Sequence, residues 1–116
     1  MRRDMEAIRQ ILLALDDGKG HNSVEGMDPD VYRYHAHLLI ERGYAKGSVL
    51  WSNDVGHSDV PANAYIQRLT WDGHDFIEAI RSDTNWQKAK DLVKQAGKVV
   101  TMETLQVAVQ RLFLSF

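Results

Sequence analysis

In the stretch RLTWDGHDF, residues 68–76, two carboxylates and an imidazole stand within four positions: Asp72, His74 and Asp75. A carboxylate beside an imidazole orients the ring and holds its proton, the pairing that a general base or a metal ligand uses. His74 between Asp72 and Asp75 is therefore the first candidate for chemistry. The same residues also describe the start of a helix behind a strand. Thr70 can accept from the free amides of a first turn, and Asp72 and Asp75 lie where the positive end of the helix dipole favours carboxylates. Gly73 permits close approach of the helix to a sheet, and Trp71 and Phe76 are expected to anchor the joint in the core. No nucleophile or second histidine stands at a supporting spacing, so the structural reading is preferred and no catalytic residue is assigned. On this reading the chain is not an enzyme.

The remaining histidines give little more. His35 and His37 would share one face of a strand, but on a helix they point about 200° apart, which removes a shared metal. His35 falls on the side of Val31, Leu38 and Leu39 and is read as a satisfied, partly buried histidine; His37 falls on the outer face. His21 and His57 lie in loops, where exposure is expected. DGKGHNS has the glycines and lysine of a phosphate loop, yet lacks the G-x-x-x-x-G-K-[ST] spacing and follows a helix, so it is read as a turn. Neither a cofactor nor a metal is expected.

The elements that must position these groups follow from periodicity. Met5, Ile8, Ile11, Leu12 and Leu15 recur at helical spacing, predicting an amphipathic helix over about residues 3–16 that Gly18 and Gly20 end. HNSVEGMDP is a loop with room for one short strand. Asp28 before Pro29 starts a second helix, through VYRYHAHLLIERGY, closed by Gly43 as a left-handed cap. Gly47–Trp51 and Tyr65–Thr70 are β-prone and flank SNDVGHSDVPANA, rich in turn formers; together they predict a hairpin with a long tip. A third helix carries Phe76, Ile77 and Ile80 as its buried stripe. A fourth starts near Asp83 with Trp86, Ala89, Leu92, Val93 and Ala96 on one side, ended by Gly97. The last follows Thr101, with Leu105, Ala108, Val109, Leu112, Phe113 and Phe116 at three- and four-residue steps.

One core suffices for 116 residues that are 44% hydrophobic and 26% charged, so a single domain is expected over residues 1–116, with a body over 1–82 and a helical extension over 83–116. The chain has no cysteine, which removes disulfides and thiolate metal sites and favours the cytoplasm. The N-terminus interleaves charges with its apolar positions, and no run approaches membrane-spanning length, so neither export nor a membrane span is expected. The net charge of −2 is unevenly placed: +1 over residues 1–15, −6 over 16–83 and +3 over 84–116. The acidic middle is a poor match for a nucleic-acid backbone.

The order helix, short strand, helix, hairpin, helix is that of a winged helix, here with two helices appended, in an α+β and mostly helical chain. RRDMEAIRQILLALDD, YHAHLLIERGYAKG and RLTWDGHDFIEAIRSDTNWQKAK resemble the bacterial and phage family catalogued as domain of unknown function 2513, over nearly the whole chain. More distantly, YHAHLLIERGY is similar to the reader helix of small winged-helix repressors and RLTWDG to their wing exit. The family carries no established activity, so the resemblance speaks mainly to fold.

A binding surface remains. On the helix over 29–42, the face opposite the core stripe carries Asp30, Arg33, His37 and Glu41, with Tyr34 and Ile40 at its edges. In a major groove Arg33 would be the best base or phosphate contact, with Tyr34 and His37 as companions, and Lys46 and Arg68 flanking the wing. Asp54 and Asp59 in the tip would repel phosphate; Arg2, Arg3 and Lys19 lie elsewhere. Two functions are therefore expected to compete: a winged helix that binds double-stranded DNA, as a phage or mobile-element regulator, and a protein-interaction module on the same frame. The second draws on the acidic middle, the absent or very short helix before the reader, and the apolar end LFLSF. Met102, Val107 and Leu114, off the stripe led by Leu105 and Val109, leave apolar surface for a homodimer.

Overall fold

The computed structural model describes residues 1–52 and 58–114, and the side chains through Leu112. It is a mixed α+β chain of five described helices and one hairpin: α1 (Met5–Asp16), α2 (Pro29–Glu41), β1 (Ala45–Leu50), β2 (Asn63–Leu69), α3 (Trp71–Ile80), α4 (Asp83–Gln95) and α5 (Met102–Leu114). This order is consistent with a winged-helix-like layout. The chain divides into two compact units, Met1–His74 and Asp75–Phe116. No described helix is long and apolar enough to cross a membrane.

In the first unit, α1 and α2 are set by their ends as much as by their stripes. Asp4 caps α1 by accepting from the Glu6 amide at 2.9 Å, and Met5, Ile8, Ile11, Leu12 and Leu15 are buried along it. Gly18, at φ 79°, turns the chain away, and the Lys19 amide reaches back to the Ala14 carbonyl. Asp28 caps α2 by accepting from Asp30 at 2.8 Å, with Pro29 in the first turn. Gly43, at φ 80°, closes α2 as expected, and the Tyr44 amide donates to the Leu39 carbonyl in the Schellman manner. Tyr32, fully buried on α2, donates its hydroxyl to the Gly20 carbonyl at 2.5 Å, and burial pushes its phenol well above the usual range.

The core histidine is His35. Its Nδ1 lies 2.6 Å from the Val31 carbonyl, and its Nε2 accepts from the Asp4 amide at 2.8 Å. The network fixes the tautomer: Nδ1 carries the proton, and Nε2 must stay bare to receive one of the free amides at the start of α1. Burial lowers its pKa below the usual 6.5, against opposing pulls from the Val31 carbonyl and Asp4.

The hairpin pairs β1 and β2 antiparallel, with Ala45 opposite Leu69 and Lys46 opposite Arg68, then Gly47 opposite Ile66. Gln67 is the extra residue, so the ladder contains a bulge. A Cβ on Gly47 would lie 2.0 Å from the Tyr65 carbonyl oxygen, which makes glycine obligatory beside it. The short strand expected before α2 does not form; the Ile66 amide donates to the His21 carbonyl at 2.7 Å in its place.

At the joint, Thr70 behaves as the cap. Its amide donates to the Tyr44 carbonyl at 3.1 Å, its hydroxyl donates to the Gly43 carbonyl at 2.6 Å and accepts from the Gly73 amide at 3.2 Å. A Cβ on Gly73 would stand 2.1 Å from the Tyr44 oxygen. Phe76 is buried, as are Ile77 and Ile80. Trp71 is not the anchor expected of it: it is 86% exposed, because the close contact with Tyr44 is made by Gly73 and leaves the first residue of the helix pointing outward.

In the second unit α4 packs on α5. Ser82 caps α4 through the Asn85 amide at 3.2 Å. Thr101 and Thr104 cap α5 reciprocally, each hydroxyl accepting from the other residue's amide, at 3.1 and 2.8 Å. Leu105, Ala108 and Val109 are buried as the periodicity predicts; Met102, expected to be exposed, is buried as well, since the cap draws the first turn inward. The side chains of Phe113, Leu114 and Phe116 lie outside the described residues.

Gly73→Val forces a branched side chain onto the Tyr44 carbonyl and should lower stability by about 1 to 3 kcal/mol, the range of overpacked sites, whereas His74→Ala, at an exposed position, should leave the thermal melt unchanged. Equal losses in the two melts would contradict the packing reading. For His35 the folded pKa is depressed, so between the folded value and 6.5 the unfolded chain binds more protons and stability rises with pH. Urea midpoints should be flat above neutrality and fall as pH drops through 6.5. His35→Gln, which keeps an acceptor without a titrating ring, should flatten that fall.

Candidate nucleic-acid interface

The turn over residues 70–75 carries no assembled acid–base pair. His74, Asp72 and Asp75 are all exposed, and the His74 ring makes no hydrogen bond or ion pair with a described residue. The hydroxyl and glycine of the turn are spent on joining strand to helix. Among the described residues no three histidine, aspartate or glutamate side chains converge as a metal site would require.

On α2 the structure gathers Tyr34 and His37 but occupies Arg33. The Arg33 guanidinium is paired with Asp30 one turn earlier, while its Nε is buried without a hydrogen-bond partner. A donor left in that state costs about 1 to 3 kcal/mol, so the side chain is held in a position that a second acceptor would relieve. Tyr34 meets His37 edge to face, with ring centroids 6.0 Å apart. His37, expected on an open face, is largely covered: Trp51 lies across it at 5.0 Å and 79°, and Glu41 stands 3.6 Å from Nδ1. Trp51 is the partner that sequence reasoning missed. Its only local signal was an aromatic residue at the end of a strand, and the hairpin alone brings it to α2.

Lys46 and Arg68 are brought together as direct cross-strand neighbours. Both are exposed and neither makes an ion pair with a described residue. Like charges directly opposite one another weaken a strand pair, and nothing described offsets that cost. The bulge at Gln67 adds a third member. Arg68 and Tyr65 are three residues apart and would face opposite ways on a regular strand, but the extra residue turns both to solvent while Leu69 and Ile66 both turn inward. Tyr65, 46% exposed, is stacked on His21 with centroids 6.0 Å apart and 25° between planes. Two cations beside a stacked aromatic pair form a surface that can hold a phosphate and a flat ring.

The five site residues read from sequence thus fall in two places: Lys46 and Arg68 lie at the base of the hairpin, and Arg33, Tyr34 and His37 lie on α2. Trp51, the added partner of His37, stands at the far end of the hairpin, about 17 Å along the strand from Lys46. Asp59, expected to repel phosphate from the tip, is bonded at 2.7 Å to the Met1 ammonium, which holds its carboxyl below the usual range. Asp54 and His57 lie outside the described residues.

Comparison with known proteins agrees with the resemblance seen in the sequence. A protein of Haemophilus influenzae (strain ATCC 51907 / DSM 11121 / KW20 / Rd) described as uncharacterised is 27% identical over 117 residues, covering 95% of this chain and 93% of its own. No solved structure gives a significant match. The family model described as Hypothetical protein (DUF2513) matches residues 2–99, and the chain belongs to that family.

Proposed function

We propose that this protein is a cytoplasmic DNA-binding winged helix, of the kind that serves a phage or mobile element as a regulator, holding duplex DNA with the base of its hairpin and reading it with α2. The observation that carries the reading is the Lys46–Arg68 pair: two cations placed opposite each other at a cost to the hairpin, with no described acid to satisfy them. A phosphate between them turns that repulsion into attraction, and Tyr65 supports it from the same face. Arg33 is the base-reading candidate, tethered to Asp30 until a nucleic-acid acceptor takes its place, with Tyr34 and His37 beside it.

A second reading keeps the frame and replaces DNA with a protein partner. It is favoured by the hairpin's exposed apolar end, where Leu50 is 64% and Trp51 47% exposed, and by the net −6 of residues 16–83. Such a patch fits a protein surface better than a phosphate backbone.

Fluorescence anisotropy with duplexes selected from a random pool, repeated across salt concentrations, separates the two. On the DNA reading, Lys46→Ala and Arg68→Ala each weaken binding to all sequences and lower the salt slope by about one. Arg33→Ala removes selectivity, at about 1 to 3 kcal/mol if the contact to guanine is bidentate, while the chain stays folded at the assay temperature. Selection that enriches no sequence, with no salt-dependent binding to any duplex, overturns the DNA reading in favour of the protein module.

A further inference from the structure

The second unit holds a groove of about 170 Å³ between α4 and α5, floored by Leu92, Val93 and Ala108. Small-molecule sites generally run from about 300 to 1,000 Å³, so this groove suits a side chain from another surface better than a ligand. Its lip on α5 has a pattern of its own: Glu103, Val107 and Arg111 line it at successive four-residue steps. All three are exposed, Val107 at 51%, and Arg111 makes no ion pair with a described residue.

An acid, an apolar residue and a base along one row of a helix are complementary to the same row run backwards. Residues four apart form the ridges that interlock when two helices pack, at about −50°. Eight residues of helix span about 12 Å, so a two-fold axis at Val107 places Glu103 and Arg111 each about 6 Å from it, on opposite sides. A second copy of α5 laid antiparallel then sets each Glu103 against an Arg111 and each Val107 beside the facing groove. This is the self-complementarity that a closed two-fold interface demands.

We infer that the groove and the Glu103–Val107–Arg111 row form a homodimer interface whose occupant is a second copy of α5. The inference is independent of the DNA reading. It replaces the expected Met102–Val107–Leu114 surface, since Met102 is buried. One helix pair falls short of the roughly 1,200 to 2,000 Å² buried by standard stable interfaces, so the association is weak and concentration-dependent.

Sedimentation equilibrium of the full chain up to high micromolar concentration tests it. The native protein should show a monomer–dimer equilibrium. Glu103→Arg and Arg111→Glu should each weaken it at least tenfold, because each sets like charges against one another twice across the axis. The two variants mixed should associate as well as native protein, since every facing pair is again of opposite sign, and the double reversal in one chain should recover the native constant. Reversal at Glu103 also opposes the dipole at the start of α5, so Glu103→Gln stands in if the arginine variant unfolds; it should weaken dimerisation while its melt stays well above the assay temperature. A monomer at the highest concentration, a dimer indifferent to the reversals, or a mixture that fails to associate overturns the inference.

Discussion

The carbonyl oxygen of Tyr44 is the point on which the first unit turns. It accepts from the Thr70 amide at 3.1 Å and lies so near Gly73 that a single added carbon would come within 2.1 Å of it. Tyr44 follows the left-handed cap of α2 and precedes β1, while Thr70 and Gly73 end β2 and begin α3. One atom therefore fixes the exit of one helix, the base of the hairpin and the entry of another helix. The position of Lys46 and Arg68, one residue inside that base on each strand, follows from it. Loosening this contact would change where the two cations stand as well as how firmly the fold holds.

Much of this arrangement could be read from local chemistry. Asp28–Pro29, Gly43, Thr70 and Gly73 act where they stand, through caps and close approaches that depend on a few neighbouring residues. The buried stripes of α1, α3 and α5 were likewise visible, because burial on a helix repeats with its turn. What escaped was decided by partners distant in the chain. Trp71 looked like an anchor by its type, but the space beside Tyr44 admits only a glycine. Gln67 carries no mark of a bulge, and a bulge depends on the register of two strands rather than on one. Met102 fell off the stripe of α5 yet is buried within a first turn set by the two threonines.

The candidate site divides in the same way. The residue types of Arg33, Tyr34 and His37 pointed to a binding helix, and Lys46 and Arg68 to a flanking wing. Their mutual relations were invisible: Arg33 is already engaged by Asp30, His37 lies beneath Trp51, and the two wing cations face one another. Electrostatic meaning here comes from pairing rather than from the charge count. A middle segment of net −6 can still present two unneutralised cations side by side, provided its acids are spent at helix caps, as Asp28 is, or on a neighbouring arginine, as Asp30 is.

His21 gives the hairpin a property that its two strands alone would lack. An open strand edge offers free amides and carbonyls to any extended chain, and two-stranded ribbons are exposed to such capture. At Ile66 both outward groups are taken by one residue: the amide donates to the His21 carbonyl at 2.7 Å, and the carbonyl lies 2.7 Å from His21 Nδ1. A backbone and a side chain together fill the place that a third strand would occupy. The edge of β2 is thus closed to templated strand addition at its centre, by a loop residue that belongs to neither strand.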